Sequence, residues 1–479
     1  MLSDFQTNKN FRGPYDFCII GSGPAGMTIA LRLAAAGRRV ILIEGGDAEY
    51  NERSQSLYRC LSTGRNAYPE LTRLRMLGGT SNHWSGRCRP FRPVTFSEKP
   101  LSDLPGWPIP HTEIEPYLPE AMRVLDLPAG AFPAYNPPLV GGDFSADHFL
   151  LSPPTRFAQK YAKALRETPG LEVFLNCNCI DFNFDPQTRR VSSLTVADYA
   201  NQRKELVAKH FVLATGGIEN ARLLLNSAAL TKHGVIVKDG MVGRGFMDHL
   251  NVDMGTFVLR DAKGTEGLQY FTTDEFVKKH KVGKGNVSFG IVKAVKSYGR
   301  TAEVKNFFKN LACSMGVADK VRFISDFRCP GDGSIGTMLE QQPDRRSRVT
   351  LAEEKDALGL RKAIMHWDIN EADLKSIRTI AMEVAKRFAD SGLGYVKLNK
   401  KLFGDPGALE LGYHSHHMGT TRMAMSPNEG VVDPNCKLFG TENLFIAGSS
   451  IFSTGGATNP TMPIVQFALR LVDHLVKLG

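Results

Sequence analysis

YDFCIIGSGPAGMTIALRLAAA, residues 15–36, joins an apolar run to a glycine turn and then to a helical pattern. The spacing predicts a buried strand over 15–20 and a helix over 27–36, with Gly21, Gly23 and Gly26 between them in the order GxGxxG. Each glycine answers a separate need: the first permits the tight turn, the second lets a diphosphate approach bare backbone, and the third lets helix pack on strand. The helix N-terminus that follows leaves N–H groups free to bind an anion. A second apolar run, 39–43, ends at Glu44, where a carboxylate suits ribose hydroxyls. A glycine-rich turn without a ligand would need neither the helix after it nor the acid at the end of the next strand. The stretch reads as the start of a dinucleotide-binding unit, and it sets an α/β fold built on a Rossmann-like sheet.

Composition bounds the rest. The 479 residues, 42% of them hydrophobic, exceed one ordinary core and suffice for two sizeable domains. No run of about eighteen apolar residues occurs, so no membrane-spanning helix is expected. The opening MLSDFQTNKNFRGPYDF has no apolar stretch after a basic start and does not read as a secretory signal, which points to a cytoplasmic protein. The eight cysteines are scattered without CxxC or CxxCH, which argues against a zinc site, a redox dithiol or attached haem. The net charge of +10 is spread in mixtures such as KKHKVGKG (278–285) with no aromatic interleaving, the pattern of a solvated surface rather than a nucleic-acid groove.

Beyond the first unit, LGGTSNHWSGRCRPF (77–91) pairs two glycines with a polar run, and Gly79, Thr80, Asn82, His83 and Trp84 are expected to wrap the cofactor. A proline-rich stretch follows, with one helix expected over 112–125; residues 101–154 read as a lid or surface excursion. A helix over 154–168 and strands over 172–184 and 191–197 come next. FVLATGGIENARLLL (211–225) repeats the strand, glycine turn and helix order, placing Ala214 and Gly216 at the cofactor, and VGRGFMDH (242–249) is a glycine-broken loop. From 251 to 412 alternating segments and long polar insertions suggest a second domain on a largely antiparallel sheet, with a strand over 363–368 and a helix over 371–389. The C-terminal part returns to the cofactor through HSHHMGTTRM (414–423), a strand over 443–447, the turn at Gly448, GGATNPT (455–461) and a last helix over 463–478. The cofactor domain is thus expected to be discontinuous, 1–100, 155–250 and 413–479, with 251–412 as the substrate domain. His414, His416 and His417 lack the accompanying cysteine or carboxylate spacing of a metal site, and Asn459 before Pro460 is either a turn former or a site residue.

GSGPAG with Glu44, LGGTSNHW, ATGGIENAR, VGRGFMDH, HHMGTTRM and ENLFIAGSSIFSTGGATNPTMPIVQFALR together resemble the glucose-methanol-choline (GMC) oxidoreductases, FAD-dependent alcohol and sugar oxidases and dehydrogenases. The pattern is most similar to the branch of pyranose oxidases and of gluconate and fructose dehydrogenases. The resemblance implies FAD as cofactor, with Gly448, Asn459 and Thr461 completing its binding set, and a histidine base three positions before a glycine, which selects His416 ahead of Gly419. Its usual partner falls on Asn459. The pair would take the proton of a substrate hydroxyl while the hydride passes from carbon to flavin N5. In pyranose oxidases the histidine of a THW triplet carries covalent flavin, which makes His83 the candidate attachment point, although Asn82 stands where those enzymes have threonine. The implied substrate is a sugar, glycoside, polyol or other alcohol, and the implied electron acceptor is oxygen, a quinone or a protein. A non-redox lyase of the same fold and a catalytically silent flavin-binding subunit are the alternatives.

Overall fold

The computed structural model describes residues 1–65, 67–97, 99–130, 138–139, 142–146, 149–259, 269–291, 304, 307–308, 311 and 332–478. Six parallel strands form its central sheet, in the order Leu2–Asp4, Leu171–Leu175, Val40–Ile43, Phe17–Ile20, His210–Leu213 and Leu444–Ile446. Phe17–Ile20 and Val40–Ile43 are buried at every position, as unbroken apolar runs must be when both faces of a parallel sheet are covered. The helix Pro24–Ala35 packs against the C-terminal helix Thr461–Val476. The N-terminal strand Leu2–Asp4 extends the sheet at its edge beside Leu171–Leu175 and has no counterpart in the sequence reading.

The second large sheet is antiparallel. Among the described residues it runs Gly394–Leu398, Gly255–Leu259, Asp332–Leu339, Gly285–Ile291, Gln269–Thr272, Phe144–Ala146 and Pro138–Leu139, with Leu250–Val252 and Leu411–Tyr413 branching from it. The helix Glu371–Asp390 lies over this sheet and begins at a capping box, in which Asn370 and Asp373 satisfy each other's backbone N–H. Within the 251–412 stretch of alternating segments and polar insertions, most of residues 292–331 fall outside the described residues.

Several segments differ from their sequence reading; the helix expected over 154–168, for one, is two short helices, Phe157–Lys160 and Ala162–Glu167. The strand expected over 172–184 is two strands in different sheets, Leu171–Leu175 and Asn178–Asp185, because Asn176 turns the chain at φ 56°. The helix expected over 112–125 is two short 3₁₀ turns and the helix Leu118–Val124, since Pro116 and Pro119 each remove an N–H from the ladder. Residues 104–125 do not stand off the surface as a lid would: Leu104, Trp107, Ile109 and Ile114 are buried, and Trp107 stacks on Phe467 of the last helix at 4.9 Å. Residues 138–139 and 144–146, read as part of the same excursion, are the last two strands of the antiparallel sheet, with 138–139 at its edge. Within the first hundred residues, Cys60–Gly64 leaves the parallel sheet to pair with Arg361–Trp367.

Candidate active site

The carboxyl ends of the parallel strands open onto one cavity of about 580 Å³, where α/β sheets bind their ligands. Gly21, Gly23, Glu44, Gly79, Thr80, His83, Trp84, Ala214, Gly216, Gly448, Asn459 and Thr461 all line it. Gly26 and Asn82 do not. A Cβ at Gly26 would stand 1.9 Å from the Gly21 carbonyl oxygen, so its role is close packing of helix on strand. Asn82 donates through Nδ2 to the carbonyls of Leu77 and Gly79, at 2.9 and 2.8 Å, and shapes the turn that presents its neighbours.

The wall is built for a bound group. Gly23 has φ −65° and ψ −178°, values any residue adopts, and a Cβ there would meet no protein atom within 4 Å. Packing therefore does not require glycine at position 23, whereas an anion in contact with the backbone there would. Gly23 is also the N-cap of Pro24–Ala35 without a side-chain cap, so the helix N-terminus meets the cavity bare. The helix Thr461–Val476 likewise starts at the cavity wall without a side-chain cap. Glu44 is buried: Oε2 accepts from the Ser22 N–H and Oγ–H at 3.0 and 2.6 Å, and Oε1 from the Gly46 N–H at 2.7 Å. A carboxylate offers about four lone-pair positions, which leaves one for a ribose hydroxyl.

Two arginines that the sequence reading passed over complete this end of the cavity. The Arg75 guanidinium occupies the space where a Cβ of Gly45 would stand and binds Asn178 Oδ1 at 2.8 Å. Arg73 pairs with Glu219 at 3.1 Å, Glu219 with Arg222 at 2.9 Å, and Arg222 with Asp356, an ion network buried beside the cavity.

At the other end stand the histidines. His416 Nε2 lies 3.0 Å from Asn459 Nδ2, and His416 Nδ1 lies 2.8 Å from Nδ1 of His249. His249 Nε2 faces the carbonyls of Gly455 and Gly456 at 3.2 and 3.0 Å. The buried carboxylate of Asp248 accepts the backbone N–H groups of His249, His414 and His416, at 2.6, 3.1 and 3.0 Å, and so holds the turn in which Ser415 has φ 63°. Burial raises the Asp248 pKa to about 7 against the pull of those N–H groups. Burial, then the neighbouring histidines, pushes the His416 pKa well below its ordinary value, and burial lowers His249 to about 4. His417 is buried, and burial lowers its pKa to about 3.

Asp248, His249 and His416 bring ligand-type atoms within 4.8 Å of one another. Two nitrogens sharing one tetrahedral zinc at about 2.1 Å stand about 3.4 Å apart. The 2.8 Å here is an N–H···N hydrogen bond, and the Asp248 oxygens are taken up by backbone N–H groups. VGRGFMDH supplied both residues in the sequence, but no periodicity or spacing signals a loop that reaches 167 positions along the chain to a histidine.

Two family models match the chain: FAD dependent oxidoreductase over residues 16–237 and GMC oxidoreductase over 343–468. The first spans the strand, glycine turn and helix units, and the second the histidine segment and Asn459. Both matches support the GMC oxidoreductase family for this chain. FAD is the cofactor, and the bare backbone at Gly23, the open helix N-terminus and Glu44 fit it. The chain is 24% identical to 2-methyl-1,2-propanediol dehydrogenase of Mycolicibacterium austroafricanum, with 96% of this chain and 95% of that protein covered. It is 26% identical to the fructose dehydrogenase large subunit of Gluconobacter japonicus over 66% of this chain and 56% of that one. Pyridoxine 4-oxidase of Mesorbium loti shares the fold, with a TM-score of 0.63, 18% identity and 96% and 99% of the two chains covered. No helix among the described residues is long and apolar enough to cross a membrane.

Proposed function

We propose that this GMC oxidoreductase oxidises the carbinol carbon of a sugar, glycoside, polyol or related alcohol to a carbonyl, with His416 as base and Asn459 as its partner. The observation that carries this reading is the 3.0 Å approach of His416 Nε2 and Asn459 Nδ2 at the cavity wall, beside the uncapped start of the last helix. In an alcohol R₂CH–OH the O–H bond breaks toward His416 Nε2, the oxygen pair closes the C=O bond, and the hydride leaves carbon. Bound FAD supplies the two-electron acceptor for that hydride. His416 is suited to the proton because its depressed pKa keeps the imidazole neutral at working pH. Asn459 Nδ2 can donate to the substrate oxygen and orient it without competing for its proton. The names of the relatives, a diol dehydrogenase and a fructose dehydrogenase, support hydroxyl-bearing substrates.

The test is an anaerobic absorbance titration of the purified protein with 2-methyl-1,2-propanediol, D-fructose, D-glucose and methyl glucoside. Bleaching of the flavin band by one of them names the substrate class. Readmitting air then separates oxygen from a quinone or protein as acceptor. His416→Ala should retain flavin and lose turnover by about 10²- to 10⁴-fold; undiminished bleaching in that variant removes His416 from the reaction.

A further inference from the structure

We infer that His249 fixes the tautomer of His416, so that the bare nitrogen of the base is the one facing the cavity. This rests on His416 being the base, and it follows from hydrogen-bond accounting along one line of atoms. The carbonyl oxygens of Gly455 and Gly456 only accept, so His249 Nε2, at 3.2 and 3.0 Å from them, carries its proton. His249 is fully buried, and burial holds it neutral, so its other nitrogen, Nδ1, is an acceptor. His416 Nδ1, 2.8 Å away, must then be the donor. A neutral His416 with a proton on Nδ1 has none on Nε2, and Nε2 is the atom beside Asn459.

The far end of the line is anchored. The Gly456 N–H donates to Glu340 Oε1 at 2.9 Å, and Glu340 is held in a buried ion pair with Lys284 at 3.1 Å. The loop whose carbonyls orient His249 is therefore tied to the antiparallel sheet, while Asp248, one residue before, holds the backbone of His416. Consecutive residues of one loop thus set where the base sits and which of its nitrogens is free. Without the acceptor at His249, the His416 proton is free to move to Nε2, and in that form the ring cannot take a proton from a substrate at that atom.

The experiment uses the holoenzyme labelled with ¹⁵N-histidine and needs no substrate for its first arm. Two-bond ¹H–¹⁵N spectra at pH 7 should place the His416 signals, assigned by their loss in His416→Ala, in the Nδ1–H tautomer. His249→Leu should shift them toward the Nε2–H tautomer. His249→Asn, whose side-chain oxygen lies near the former Nδ1 and accepts from His416, should restore the wild-type pattern. In the second arm, the member of the alcohol panel that bleaches the flavin is followed by stopped flow. His249→Leu should slow bleaching at saturating substrate about ten- to a hundredfold with KM little changed, and His249→Asn should return it to within about threefold. Unchanged His416 tautomer in His249→Leu overturns the inference, as does an equal loss in the Leu and Asn variants accompanied by loss of flavin. Full turnover in His416→Ala would instead overturn the assignment of the base, and the tautomer spectra would still judge His249.

Discussion

Gly23→Ala separates the demands of the fold from those of the ligand. The backbone at Gly23 already has values an alanine adopts, and the new methyl meets no protein atom within 4 Å. Two small effects on the apoprotein oppose each other. Restricting the unfolded chain stabilises by about 0.4–1 kcal/mol, while alanine is a poorer N-cap than glycine by a similar amount. The apoprotein should therefore melt within about 3 °C of wild type. In the holoprotein the methyl takes the space through which a diphosphate reaches the start of Pro24–Ala35. Displacing it costs one or two charge-assisted hydrogen bonds at about 1.5–3 kcal/mol each, so FAD affinity should fall by between about tenfold and about 10⁴-fold. The assay is calorimetric titration of each apoprotein with FAD, with melting curves as control; saturating FAD should raise the wild-type midpoint far more than the variant's. Gly26→Ala is the counter-control: its Cβ would lie 1.9 Å from the Gly21 carbonyl oxygen, so it should weaken the fold itself. Wild-type FAD affinity in Gly23→Ala would refute the placement of the diphosphate.

Glu219→Ala should cost about 3–5 kcal/mol in urea unfolding, because it leaves the buried guanidinium groups of Arg73 and Arg222 without their shared carboxylate; a midpoint close to wild type would mean that water reaches the pair. Stability should also fall as pH drops from about 6.5 toward 4. His210 and His249 are lowered to about 4 and His417 to about 3, with His414, His416 and His474 lowered too, so in that window the unfolded chain takes up protons the folded one refuses. Asp248 and Asp373, raised to about 7, push the other way but are outnumbered, and denaturant midpoints that rise on acidification across this range would contradict the sign. Acid precipitation decides the candidate flavin link at His83, whose Nε2 is engaged by the Thr72 carbonyl at 3.2 Å: colour in the pellet that His83→Ala releases assigns attachment, and colour in the supernatant assigns dissociable FAD.

The local units were legible in the sequence because their signals are local. GSGPAG lies between an apolar run and a helical pattern, Glu44 ends the next strand, and HSHHMGTTRM and GGATNPT quote their chemistry in adjacent residues. Segment ends were legible only where punctuation is strong; the turn at Asn176 and the prolines at 116 and 119 cut elements that the hydrophobic pattern runs together. What the chain order hides is which distant loops meet. His249 reaches His416 across 167 positions, Glu340 reaches Gly456 across 116, and Arg73 reaches Glu219 across 146, because the parallel sheet gathers strands from both ends of the chain and lays their carboxyl ends side by side. The residues proposed to bind and react stand in motifs legible along the chain, whereas the tautomer inferred for the proposed base depends on hydrogen-bond partners that only folding brings together.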